Sequence, residues 1–151
     1  TPGKDCTVLL DYSHTPDSLI NILDTIREFC KGRIITVFGC GGDRDPDKRP
    51  KMGKAAGERS DYCIVTSDNP RTEDPFKIID AILPGLKETG CEYTVIENRR
   101  EAIRHALICA ANDDVILLAG KGHEPYQEIG RVRHPFDEKI VVKELAEELF
   151  S

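Results

Sequence analysis

Five short β-rich runs recur along the chain, each followed by residues with helical or turn-like spacing: "TVLLDY" (7–12), "RIITVFG" (33–39), "YCIVTS" (62–67), "EYTVIE" (92–97) and "DVILLAG" (114–120). They are almost continuously apolar, which suits strands covered on both faces rather than strands with one wet face. Strands of that kind, separated by helices, pair in parallel through right-handed crossovers that lay helices on both faces. The pattern predicts an α/β fold: a Rossmann-like three-layer domain with a mostly parallel sheet of about six strands. The sixth is expected as an antiparallel edge strand, from a hairpin around Gly130 in "YQEIGRVRHPF".

The connecting segments carry their own signals. In "PDSLINILDTIREFC", Leu19, Ile22, Leu23, Ile26 and Phe29 fall on one helical stripe, with Thr15 as N-cap and Pro16 in the first helical position. Asp74 and Pro75 repeat that arrangement before "FKIIDAIL", where Pro84-Gly85 is expected to kink or end the helix. Asn98 caps a segment in which Ile103, Ala106, Leu107 and Ala110 face inward. "KRPKMGKAAGERS" is a weaker helix, rich in Lys and Gly, and "DEKIVVKELAEELF" closes the chain as an amphipathic one. No linker, repeat or low-complexity tract divides the 151 residues, so residues 1–151 are read as one domain.

Composition narrows the function. A net charge of −6 argues against a broad nucleic-acid footprint, so a bound anion has to be held by local groups. No apolar stretch approaches the roughly 20 residues of a membrane span. The six cysteines include no C-x-x-C pair and read as buried free thiols of a reducing, cytoplasmic compartment. The four histidines have no metal-ligand spacing.

In an open α/β sheet, ligands bind beyond the carboxyl ends of the strands. There the turns read "DYSHTP" (11–16), "GCGGDRD" (39–45), "SDNPR" (67–71), "ENRR" (97–100) and "GKGHE" (120–124). Arg44, Arg71 and Lys121 are cations along this rim, with Asp11, Asp43, Asp68 and Glu124 between them. A mixed rim suits a zwitterion, arginine forks meeting carboxylates and acids meeting ammonium groups. Ordinary turn chemistry competes at each place: Asp68, Asn69 and Pro70 are turn formers, Gly120 and Gly122 make a tight turn, and His14 can serve as a packing residue. "GCGG" fails the dinucleotide pattern G-x-G-x-x-G because position 44 is Arg, and "AGKGHE" lacks the G-x-x-x-x-G-K-[ST] of a P-loop. Spacing alone therefore leads to a domain that binds a small charged metabolite.

"DYSHTP", "FGCGGDRDPDKRPKMG", "SDNPRTEDP" and "LLAGKGHEPYQ", in this order and spacing, closely resemble the C-terminal domain of the Mur ligases, over about Asp11 to Leu149. Within that family they are similar to the members that add meso-diaminopimelate as the third residue of the peptidoglycan stem. The resemblance implies an ATP-dependent, ADP-forming ligase in which a D-glutamate carboxylate is phosphorylated and the incoming amine attacks the acyl phosphate. It assigns the amino-acid pocket to Arg44, to Asp68, Asn69, Pro70 and Arg71, and to Gly120 and Glu124. Asp11 and His14 are implied on the side turned to the nucleotide. Ser13 stands where alanine is usual, and 45–48 is a variable loop.

In the family, a UDP-binding domain and a central ATP-binding domain precede this one, and the central domain holds most of the contacts to ATP and Mg2+. The expected partners are thus meso-diaminopimelate here, and UDP-N-acetylmuramoyl-dipeptide and ATP through those other domains. A cytoplasmic monomer is expected, with no nucleic-acid or membrane partner. The first residue, Thr1, suits a piece of a longer protein, and the piece alone is expected to be inactive. Other readings are a lysine-adding or cyanophycin-type ligase domain, or a stand-alone amino-acid-binding module. Arg71 argues against lysine, which has no distal carboxylate to meet it.

Overall fold

Strands β1 (Thr7–Asp11), β2 (Ile34–Phe38), β3 (Tyr62–Val65), β4 (Glu92–Val95) and β5 (Val115–Ala119) form one parallel sheet in the order β1-β5-β2-β3-β4. The structure is a computed structural model that describes residues 6–11, 15–40, 47–67, 72–120, 126–129, 132–135 and 138–150. Register places Asp11 opposite Ala119 and Phe38 opposite Val65, so the strands end level with one another. The central strands β2 and β5 are buried at every position, whereas the outer strands β1 and β4 are only partly covered.

Side chains alternate between two cores, as the strand period requires. Ile34, Phe38, Cys63, Val65, Val115 and Leu117 point to a layer made by α1 (Pro16–Phe29), α2 (Lys48–Arg59) and α3 (Pro75–Glu88). Ile35, Val37, Ile64, Ile116 and Leu118 point the other way, to α4 (Arg99–Cys109) and α5 (Glu138–Phe150). This is the three-layer arrangement expected. All six thiols are free, but only Cys40 and Cys63 are buried; Cys6, Cys30, Cys91 and Cys109 are partly exposed.

The caps form as the sequence indicates. Thr15 accepts from Ser18 N and closes a capping box with it, Asp74 accepts from Phe76 N, and Asn98 accepts from Glu101 N. Leu19, Leu23 and Ile26 are the buried stripe of α1, but Phe29 at its end is mostly exposed.

Two further expectations are corrected. The hairpin exists, as β6 (Tyr126–Ile129) and β7 (Val132–Pro135), but among the described residues it pairs only with itself and adds no edge strand to the main sheet. Of the two outcomes expected at Pro84, ending the helix is the one overturned, because α3 runs through it to Glu88. Gly85 lies against the backbone of Pro50 in α2, and Gly53 lies against Ile82 O in α3. Close backbone contact along this helix pair holds the segment helical despite the missing N–H.

At the amino end of the sheet, away from the ligand edge, Asp114 stitches three segments together. Its carboxylate accepts from Arg33 N and Ala111 N, each at 2.8 Å, and from the Arg33 guanidinium at 3.1 Å. Burial alone would raise its pKa, but those backbone N–H groups and Arg33 together hold it below the ordinary value. A depressed folded pKa contributes stability that is present above about pH 4 and lost as pH falls through the folded value. Asp114→Asn is expected to lower unfolding free energy by about 1.5–3 kcal/mol at pH 7 and by less at pH 3. Urea unfolding at the two pH values checks this, and an equal loss at both would remove the carboxylate's charge from the explanation.

Candidate functional site

Because every strand of the main sheet points the same way, Asp11, Gly120, Cys40, Ser67 and Glu97 line one edge in that order. Helices α1 to α4 begin at that edge, so their N-terminal N–H groups and positive dipole ends face the same side, because each helix follows the carboxyl end of a strand. An open cleft of about 330 Å3 is lined by Thr15, Pro16 and Asp17 at the start of α1 and by Lys48 and Lys51 of α2.

Of the residues singled out in the sequence, Asp11 and Gly120 belong to the described structure. Gly120 N donates to Asp11 O at 2.9 Å, extending the β1–β5 ladder by one bond. Gly120 is buried and has φ +112°, a conformation open to glycine and strained for other residues, so the turn after β5 requires it. His14, Arg44, Asp68, Asn69, Pro70, Arg71 and Glu124 lie outside the described residues. The segments that contain Arg44, 68–71 and Glu124 follow β2, β3 and β5, which are three consecutive strands of the sheet.

The end of β3 is tied down on both sides. Thr66 N donates to Phe38 O at 2.9 Å, and Ser67 N donates to Glu97 O at 3.2 Å. Thr66 Oγ1 also donates to Glu97 O, at 3.0 Å. Across the top of β2 lies Arg99, the first residue of α4 and only 1% exposed. Its Nη1 donates to Ser67 O at 3.1 Å and its Nη2 to Ala119 O at 3.0 Å. One guanidinium thus spans the ends of β3 and β5, which are not neighbours in the sheet.

On the far side of residues 68–71, Glu73 is held by a second buried arginine. Arg49 donates Nη1 to Glu73 Oε2 at 3.0 Å and Nη2 to Oε1 at 2.7 Å, the bidentate geometry of a strong pair. Neither arginine was singled out in the sequence. "ENRR" marks Arg99 and Arg100 alike, yet Arg100 pairs with a half-exposed Glu144 while Arg99 is buried. The available signal was position: in a parallel sheet, the first residue of a crossover helix sits over the strand ends.

Among the described residues, no group of three or more His, Cys, Asp or Glu is arranged to hold a metal ion. No helix among them is long and apolar enough to cross a membrane.

A parallel sheet with a glycine-dependent turn and a buried arginine at its strand ends defines an open α/β domain of the kind that binds ligands at that edge. The chain belongs to the family of the Mur ligase, glutamate ligase domain, whose model matches residues 1–122. It is 58% identical over 146 residues to the UDP-N-acetylmuramoyl-L-alanyl-D-glutamate–2,6-diaminopimelate ligase of Caldanaerobacter subterraneus subsp. tengcongensis, covering 97% of this chain and 30% of that protein. With ligase 1 of the same name from Clostridium acetobutylicum the identity is 54% over 146 residues, with the same coverage. A solved structure of a UDP-N-acetylmuramoyl-L-alanyl-D-glutamate–2,6-diaminopimelate ligase superposes with a TM-score of 0.94 at 42% identity, over 100% of this chain and 31% of that one. The chain therefore spans about a third of the length of the relatives it matches.

Proposed function

We propose that this chain is the amino-acid-binding part of an ATP-dependent, ADP-forming ligase that adds meso-diaminopimelate to UDP-N-acetylmuramoyl-L-alanyl-D-glutamate. One observation carries the reading: the segments that contain Arg44, Asp68-Asn69-Pro70-Arg71 and Gly120 to Glu124 leave three consecutive strands at one edge. Relatives that share more than half of the residues are named for that reaction.

The chemistry asked of this chain is recognition and orientation. Diaminopimelate carries two ammonium and two carboxylate groups. Arg44 and Arg71 supply forks for carboxylates, Asp68 and Glu124 supply acceptors for ammonium groups, and Asn69 can serve either. Pro70 restricts the backbone between Asn69 and Arg71. Held this way, one amine is presented to the acyl phosphate of the D-glutamyl substrate; the C–N bond forms, phosphate leaves, and the amine proton passes to a base or to water. The buried Gly120 lets the β5 turn pass close to the substrate. For Asp11 and His14 the proposed role is on the side turned to the nucleotide.

The UDP-binding and ATP-binding domains are proposed to lie outside this chain and to hold the phosphates and Mg2+. Among the described residues no group of three or more His, Cys, Asp or Glu is arranged to hold a metal ion. The working enzyme is proposed to be a cytoplasmic monomer, with neither nucleic acid nor membrane as partner. The 151-residue chain alone is expected to release no ADP from ATP, since its sequence has no P-loop.

The test is ADP release by the full-length protein with UDP-dipeptide and either meso-diaminopimelate or lysine. Turnover with diaminopimelate and little with lysine supports the reading; the reverse preference overturns it. Glu124 offers a finer check. In the full-length ligase, Glu124→Gln is expected to raise KM for diaminopimelate about tenfold or more, by removing a charge-assisted contact to an ammonium group. The KM values for ATP and UDP-dipeptide should stay within about twofold, and an equal rise in all three would rule out the specific role.

A further inference from the structure

Two buried arginines hold the chain on either side of residues 68–71. Arg99 takes Ser67 O, immediately before the segment, and Ala119 O, immediately before Gly120. Arg49 takes both carboxylate oxygens of Glu73, two residues after Arg71. The Arg49 side chain is 6% exposed and that of Glu73 is 30% exposed. Burying a guanidinium is costly unless its donors meet fixed acceptors, so a packing role alone is better filled by Leu or Met. Here Arg49 spends two donors and Arg99 one on the borders of the same short segment, and Arg99 spends another on the strand end before Gly120.

We propose that Arg49 and Arg99 are positioning residues for the amino-acid substrate: Arg99 and Arg49 fix the two borders of 68–71, and Arg99 also sets the spacing from that segment to the turn at Gly120. The inference rests on the proposed role of 68–71 and 120–124 in holding the amino acid. Neither arginine has to touch the substrate. Paired charge recognition requires its groups within about 0.5 Å of the productive geometry, so borders held to that tolerance are a condition of affinity. Lysine at position 99 keeps the charge but cannot reproduce a planar fork that bridges two carbonyls, and lysine at 49 loses the bidentate pairing.

The experiment uses the full-length ligase with Arg49→Lys, Glu73→Gln, Arg99→Lys and the double variant Arg49→Lys/Glu73→Gln. KM is measured for meso-diaminopimelate, ATP and UDP-dipeptide, together with the melting temperature. Each single variant is expected to raise KM for diaminopimelate about tenfold, near 1.4 kcal/mol of binding, with the other two KM values within about twofold. The double variant should be little worse than either single one, because both remove the same interaction. A lower melting temperature with all three KM values unchanged would make the arginines structural stitches and overturn the proposal. So would an equal rise in all three. If Arg99→Lys does not fold, Glu73→Gln at its partly exposed position carries the test. Arg71→Ala separates the two readings. Should it raise KM for diaminopimelate while Glu73→Gln does not, only the positioning role falls. Should it have no effect, the amino-acid site falls and the positioning role with it.

Discussion

Replacing Arg71 by alanine in the full-length ligase is expected to lower kcat/KM for meso-diaminopimelate by on the order of 30- to 3,000-fold, while kcat/KM for lysine changes far less. The two amino acids share one α-amino acid end and differ chiefly in the distal carboxylate. A guanidinium meets that carboxylate with two parallel N–H bonds. Removing one partner of a desolvated, hydrogen-bonded charge pair costs roughly 2–5 kcal/mol, and each factor of ten in rate constant corresponds to about 1.4 kcal/mol. On the proposed reading lysine makes no such contact, so its reaction is expected to lose nothing and to gain if an unmatched cation is taken away. Steady-state rates for both amino acids in wild type and variant decide the matter. If the ratio of the two constants does not move, "DNPR" is a turn and selectivity lies elsewhere.

The second large effect concerns the scaffold behind the site. Gly85→Ala is expected to lower unfolding free energy by about 3 kcal/mol or more. Two effects oppose each other here. Alanine is the better helix former by about 1 kcal/mol, which favours the variant. A Cβ at position 85, however, falls 1.8 Å from Pro50 O and 2.7 Å from Pro50 C, both backbone atoms of α2. No rotamer change relieves that contact, so the helices must separate. Overpacking of this kind costs typically 1–3 kcal/mol, and a clash with backbone belongs at or above the upper end. For a chain of 151 residues, 3 kcal/mol corresponds to roughly 6–12 °C in melting temperature. A variant that melts with the wild type would mean that α2 and α3 are not in backbone contact in solution.

Much of the architecture was legible before the structure. The apolar runs at 7–12, 33–39, 62–67, 92–97 and 114–120 contain the five strands; the central β2 and β5 are buried throughout, as such composition suits, while the outer β1 and β4 are only partly covered. Thr15, Asp74 and Asn98 cap their helices because a short polar side chain ahead of an apolar period has one obvious use. Local rules failed where a distant element changed the balance. Pro84 stays inside a helix because α2 packs against its neighbour Gly85, a contact that local sequence cannot reveal.

The sequence by itself determined which residues are available for the chemistry: the polar turns that follow β1, β2, β3 and β5, with their arginines, acids and glycines, and the motifs that mark the family. Their local spacing is enough because turn chemistry and strand periodicity act over a few residues. Tertiary structure alone decided the order β1-β5-β2-β3-β4, which inserts the last strand of the sheet between the first two and puts the carboxyl ends of β5, β2 and β3 side by side. It also decided that Arg99 spans Ser67 and Ala119 while Arg100 stays at the surface, and that Arg49 meets Glu73, 24 residues away. The physical reason is that burial and pairing are properties of position in three dimensions. Adjacent arginines have the same chemistry, and only the strand ends beneath one of them make it a buried fork.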